Sequence, residues 1–151
     1  MAMGNELPLA ELAHVIQLAV APVFLLTGVG AILGVLTNRL SRIVDRARQL
    51  ESELPSAPPG RALRVREGLR QQAKRARISQ AAISLCTACA LLISAVIVVM
   101  FIGVFAGLNL SAMIAGMFIV GLMLLILGLI CFLREVYLAT RHMRFGEPEQ
   151  E

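Results

Sequence analysis

The residues with the most obvious capacity for chemistry are three thiols. Cys86-Thr87-Ala88-Cys89 has the CxxC spacing of redox couples and zinc sites, and Cys131 is the third cysteine. Zinc takes four ligands and needs its thiolates deprotonated. Both CxxC residues stand in an uncharged apolar run, where burial suppresses thiolate reactivity. Ordinary buried cysteines are the expectation, with no metal and no cofactor. A second polar group, His14 with Glu11 and Gln17, reads either as a ligand or pH-sensing position or as a helix start facing water and headgroups, and the latter is expected. No nucleophile, base or metal ligand set stands in a polar cleft pattern, so no catalytic residue is assigned and an enzyme is not expected.

A third group is more extended. Gln80, Ser84, Thr87 and Ser94, with Leu91 between them and Arg77 below, recur at three and four residues and share one face of a helix. Such a face can line the vestibule of a homo-oligomeric pore closed by the apolar Ile97–Phe105 stretch. Alternatively its hydroxyls bond to their own i−4 carbonyls or across helices. Ion and proton pathways usually carry ionisable groups at mid-membrane depth, and none stands there.

Composition decides what holds these groups. Of 151 residues, 58% are hydrophobic and 16% charged, and the mean hydropathy is +0.78. A soluble domain is about 45–50% apolar and about 25% charged. No Asp, Glu, Lys or Arg occurs from Val15 to Thr37 or from Ile78 to Leu133. One crossing takes about 20 apolar residues, so the first run fits one helix and the second fits two. The turn between those two falls at Gly107-Leu108-Asn109-Leu110-Ser111, which has the Gly and Asn that turns use. Backbone groups in hydrocarbon must pair internally, which demands helices rather than open strands. The expected fold is an all-α membrane protein, one membrane domain over 1–151, with transmembrane helices at 12–37, 79–106 and 111–133. Residues 38–78 form a cytoplasmic antiparallel helical hairpin and 134–151 a cytoplasmic tail whose acidic end, Glu147–Glu151, is expected to be disordered. Met1–Glu11 has no Lys or Arg, so the first run is expected to be a retained span and not a cleaved leader.

Charge sets the orientation. All fourteen Lys and Arg residues lie either between Arg39 and Arg77 or at Arg134, Arg141 and Arg144. Three crossings put those two regions on one side, and the positive-inside rule makes that side cytoplasmic. A bacterial inner-membrane protein with its N-terminus outside and its C-terminus inside is expected. Lys74, Arg75, Arg77 and Arg134 are placed to meet lipid headgroups, and anionic lipids are expected partners. Nucleic acid is not, because no aromatic stacking residues are interleaved with the basic ones.

The hairpin has its own pattern. Leu40, Ile43, Ala47, Leu50 and Leu54 repeat at helical spacing after the first span with no breaker, and Pro55-Ser56-Ala57-Pro58-Pro59-Gly60 ends that helix. Ala62, Val65, Leu69, Ala73 and Ala76 give the returning helix its apolar side. Arg39, Arg42, Asp45, Arg46, Arg48 and Glu67 suggest local ion networks, Arg42–Asp45–Arg48 and Arg64–Glu67–Arg70, on solvated faces.

The run Ala21-Pro22-Val23-Phe24-Leu25-Leu26-Thr27-Gly28-Val29-Gly30, followed by Arg39-Leu40-Ser41-Arg42-Ile43-Val44-Asp45-Arg46-Ala47-Arg48 and by Lys74-Arg75-Ala76-Arg77, resembles the bacterial membrane family known as domain of unknown function 2721. The resemblance covers roughly Leu12 to Arg141. It implies a three-span bacterial membrane protein with no assigned activity and supplies no catalytic residues.

Small residues supply the remaining signal. Gly30 and Gly34 form a GxxxG pair extended by Thr27 and Asn38; Gly103 and Gly107 form another; Gly121 and Gly128 are one heptad apart. Such residues let helices approach closely in lipid, either within the protomer or between copies. Pro22 is expected to kink the first span. The resulting expectation is a non-enzymatic protein that self-associates as a homo-oligomer and acts as a scaffold or as an accessory subunit of a larger membrane complex. The alternative is a homo-oligomeric channel with the Gln80–Ser94 face on its axis.

Overall fold

The computed structural model describes residues 9–56 and 58–141, and the side chains of 13–56 and 58–137. The side chain of Glu11, residue Ala57, the acidic tail and the Arg141 and Arg144 side chains, all singled out above, lie outside the described residues. Helix α1 spans Leu9–Glu53, α2 spans Pro59–Ala106 and α3 spans Ser111–Arg141. At 1.5 Å per residue, α1 and α2 are each about 70 Å long, more than twice the roughly 30 Å hydrocarbon core of a bilayer. Among the described residues, all three helices are long and apolar enough to cross a membrane. Their apolar side chains face outward, with Phe24, Leu91 and Leu133 73%, 69% and 67% exposed. A multi-pass membrane protein accommodates that surface, because lipid solvates it.

The helix ends follow from local chemistry. α1 closes in a 3₁₀ turn, Leu54–Ser56. Pro58 is extended, at φ −60° and ψ 156°, and its carbonyl accepts from the N–H groups of Arg61 and Ala62, both at 2.9 Å. Pro59 then opens α2, where a missing N–H costs nothing. Glu53 and Arg61 clasp the tip through an exposed ion pair of 3.3 Å. At the other end of α2, Gly107 takes φ +62°. Its N–H donates to Val104 O at 3.3 Å and the Leu108 N–H donates to Gly103 O at 2.9 Å. These two bonds form a Schellman stop, which needs a left-handed residue and therefore favours glycine. Asn109 Oδ1 accepts from both the backbone N–H and the hydroxyl of Ser111 and starts α3.

Packing follows a seven-residue period. On α1 the buried residues Val15, Pro22, Val29, Leu36 and Ile43 are each one heptad apart. On α2, Val65, Ser79, Cys86 and Ile93 fall in one heptad register and Ala82, Cys89, Val96 and Gly103 in another. α3 presents Gly121, Gly128 and Glu135, again seven apart and buried. A sustained 3.5-residue seam is the condition for helices to wrap around one another with left-handed supercoil. The seam of α1 and α2 passes from the apolar runs into the basic hairpin without interruption. It also corrects the expected inner face of the returning helix: Ala73 is exposed, while Gln72, one heptad before Ser79, turns inward. Leu69 and Ala76 stay half-buried and continue at seven-residue intervals through Ile83 and Ala90, so Ala73 alone leaves the expected face. α2 is the central helix, with α1 and α3 packed along it. Val29, Leu36, Ala82, Cys86, Cys89 and Ile93 form the core. Pro22 lies inside α1, which continues through it.

The six glycines expected to support packing divide into three groups. A Cβ on Gly128 would lie 2.8 Å from Cys86 Sγ and 3.4 Å from Ala82 O, and one on Gly121 would lie 3.0 Å from Ile93 Cδ1. These two bring α3 against α2. A Cβ on Gly103 would lie 3.5 Å from Leu108 O, beside the turn that Gly107 makes. A Cβ on Gly30 or Gly34 would meet nothing within 4 Å. The GxxxG pair of α1 therefore plays no part in packing within the protomer. Gly128→Ala should destabilise the protein by about 1–3 kcal/mol through overpacking, read as a lowered midpoint of unfolding in detergent, and Cys86→Ala added to it should restore most of the loss. Gly34→Ala should change nothing in the same assay.

Candidate functional site

Among the described residues, one charged side chain is fully buried. Glu135 is 1% exposed, two positions beyond the end of the uncharged run on α3. Its Oε1 accepts a hydrogen bond from Arg75 Nη2 of α2 at 3.1 Å. Arg39 Nη2 of α1 approaches Oε2 to 3.0 Å, off the hydrogen-bonding direction, so that contact is ionic. The Arg39 guanidinium also lies 5.3 Å above the ring of Phe132, one turn back on α3, where the ring face attracts a cation. One carboxylate thus holds a residue from each of the other helices. Burying a carboxylate without partners costs several kcal/mol, and two arginines remove most of that penalty.

The heptad seam explains why these residues meet. Glu135 follows Gly128 by seven, and Arg75 precedes Ala82 by seven. The positions that bring small residues together at mid-span bring charged ones together where the uncharged runs end. Around the ion cluster the helices leave a cleft of about 410 Å³ lined by Arg39, Arg42, Ile43, Arg46, Gln72, Arg75 and Glu135. Gln72 Oε1 and Arg75 Nε are buried and without a hydrogen-bond partner. Guanidinium groups keep their protons across the physiological range, so the cleft is suited to binding an anion.

The other residues singled out from sequence are placed as follows. Gln80, Ser84, Thr87 and Ser94 share the outer face of α2 and are exposed. Ser94 donates to Ala90 O at 2.9 Å, which is the local bonding expected of a packing or lipid-facing serine. Lys74, Arg77 and Arg134 are exposed, whereas Arg75 is 24% exposed and turned to Glu135. Among the described residues, no ion pair joins Asp45 to Arg42 or Arg48, or Glu67 to Arg64 or Arg70. Asp45, Arg48 and Glu67 are exposed, and Arg46 donates instead to Gln49 Oε1 at 3.2 Å. Water competes well for such solvated pairs, and the buried Glu135 takes Arg39 out of the set. Cys86 and Cys89 lie buried on the α2 seam and Cys131 is half-buried on α3, all as free thiols. Among the described residues, no group of three His, Cys, Asp or Glu side chains is placed to hold a metal. His14 and Gln17 are exposed.

Glu135 is the residue that the sequence reading missed. The signal was present, since extending the Gly121–Gly128 interval by one heptad lands on it. Glu135→Gln should cost about 1–3 kcal/mol of stability, below the value for breaking a fully buried pair because Arg39 and Arg75 keep some solvent contact. Unfolding in detergent measures this, and an unchanged midpoint would remove Glu135 from the packing argument.

Comparison with known proteins adds one relationship. Neither the curated proteins nor the solved structures contain a match to the chain. A family model described as protein of unknown function (DUF2721) matches residues 19–145, a stretch that includes α1 from Ala19 onward, all of α2 and α3, and every residue of the Glu135 cluster. On that match over most of its length, the chain belongs to the DUF2721 family.

Proposed function

We propose that this protein is a non-enzymatic, self-associating inner-membrane scaffold or accessory subunit that presents its basic helical hairpin to the cytoplasm. The observation that carries the reading is the free GxxxG face of α1. Gly30 and Gly34 contact nothing across the protomer, yet small residues at this spacing are how helices approach one another in lipid. Thr27 and Thr37, near that pair, have their hydroxyls bonded to Val23 O and Leu33 O, while the exposed Asn38 at the end of the face keeps its amide for a partner. A second copy of the chain is the partner with a matching face. The distribution of Lys and Arg supports the orientation, with the hairpin inside and the N-terminus outside. Anionic lipids and a larger membrane complex are further partners of the basic surface.

The channel reading keeps one specific support. Gln80, Ser84 and Thr87 face outward from the protomer with no bond to it among the described residues, and polar groups facing lipid gain from a wet or hydrogen-bonding neighbour.

Because a Cβ at either position meets nothing within 4 Å, Gly30→Leu with Gly34→Leu should leave the monomer folded and abolish self-association. Crosslinking or energy transfer between labelled copies in bilayers reads this, and full retention of the oligomer would refute the α1 interface. The scaffold and the channel separate in a background of Cys86→Ala, Cys89→Ala and Cys131→Ala. Thr87→Cys and Ser94→Cys should resist water-soluble thiol reagents in the scaffold and react in a channel. A reporter fused after Glu151 should be active only as a cytoplasmic domain.

A further inference from the structure

We propose that the cleft beside Glu135 is a binding site for a phosphate group, carried either by a lipid headgroup or by a soluble phosphate ester. The first argument is charge. Arg39, Arg42, Arg46 and Arg75 line the cleft against the single carboxylate of Glu135, so pairing within the protein leaves a surplus of positive charge there. Arg42 has no ion pair among the described residues, and Arg46 meets only the neutral amide of Gln49. Both guanidinium groups are available to an incoming anion.

The second argument is unsatisfied hydrogen bonding. Arg75 spends Nη2 on Glu135, but its Nε is buried with no acceptor. Gln72 Oε1 is buried with no donor. Oxygen and nitrogen of an amide are interchangeable by a half-turn, which would place an N–H donor at that position instead. Both side chains line the cleft, so an anion with several oxygens seated there lies within a side-chain rotation of these two unused groups. Phosphate suits them better than a carboxylate does, since it carries more acceptors and more charge for the planar forks of arginine.

Depth and size complete the case. Arg39 lies two residues past Thr37, Arg75 three before Ile78 and Glu135 two past Leu133. The cleft therefore sits where the uncharged runs end, the level at which a bilayer carries its phosphates. A volume of about 410 Å³ is within the usual range of small-ligand sites, which runs from roughly 300 to 1,000 Å³. The site lies within one protomer and requires neither self-association nor a particular orientation. Failure of the scaffold reading would leave it standing, and the reverse also holds.

The test uses the full chain in phosphatidylcholine nanodiscs with and without phosphatidic acid, counting retained lipid by native mass spectrometry. A parallel titration with glycerol 3-phosphate is read by thermal shift. Arg42→Gln with Arg46→Gln, both exposed and outside the packed seam, should weaken binding by at least about tenfold, given the strength of charge-assisted hydrogen bonds. Arg48→Gln with Arg70→Gln removes the same charge from exposed hairpin positions, eleven residues past Thr37 and eight before Ile78 and outside the cleft lining, and should change binding less than about threefold. Retention of phosphatidic acid alone assigns the site to a headgroup. Binding of glycerol 3-phosphate, alone or with the lipid, assigns it to a soluble ester. Equal losses in the two double variants reduce the effect to general surface attraction and overturn the proposal, as does absence of binding by either probe.

Discussion

A carboxylate with 1% of its surface exposed has to be compensated where it stands, and that requirement fixes the arrangement of the chain. Glu135 on α3 is compensated by Arg39 on α1 and Arg75 on α2. The three residues must lie at one height, so the three helices are locked in register along their length. α1 and α3 otherwise pack along α2 and hardly against each other. Arg39, reaching Glu135 and the ring of Phe132, connects them directly. Apolar packing in lipid has little preference among sliding positions, because the tails solvate a displaced helix equally well. An ion cluster tolerates no such slide. Buried polar groups have their best-attested use in specifying register, and this cluster stands where register has to be transmitted from the apolar helices to the hairpin.

The same transmission explains why α1 and α2 run unbroken for 45 and 48 residues. A helix that ended at the membrane surface would expose four carbonyls or four N–H groups and need capping there. Continuing the helix defers that cost to the hairpin tip, where Pro58, Pro59 and the 3₁₀ turn meet it in water. Gly68 serves the same end inside the hairpin. A Cβ there would lie 3.3 Å from Leu50 Cδ1, so its absence lets the two arms stay close beyond the apolar runs.

Much of this architecture is legible in the sequence for simple reasons. Uncharged runs and their lengths give the helices, the Pro55–Gly60 cluster gives the tip, and Gly107 with Asn109 gives the second turn, since each is a local property. Inner and outer faces are harder. In an apolar run almost every residue suits both lipid and protein, so periodicity is masked, and neither the Gly30–Gly34 pair nor the Gln80–Ser94 stripe could be assigned inward or outward. The structure leaves both outward and selects Gly121 and Gly128 instead. In the hairpin the apolar spacing of Ala62, Val65, Leu69, Ala73 and Ala76 suggested one inner face, and the structure departs from it at Ala73, which is exposed while Gln72 turns inward. Glu135 escaped notice because a carboxylate following Arg134 at the end of a span looks like ordinary surface charge.

The seam also records the boundary of the apolar region on the inside of the molecule. Read along α2 at intervals of seven, it runs Val65, Gln72, Ser79, Cys86 and Ile93, and its companion register runs Arg75, Ala82, Cys89, Val96 and Gly103. Polarity peaks where the uncharged run begins and falls away on both sides. A purely topological role for the arginines would need charge only on the outer surface, where headgroups can reach it. Interior charge at the same level adds nothing to orientation and carries a desolvation cost. It is accounted for by what it does inside, which is to align three helices around Glu135 and to leave Arg42, Arg46 and Arg75 lining a common space. The interior of this protein is least apolar at the height where an anion can arrive from either the bilayer or the water.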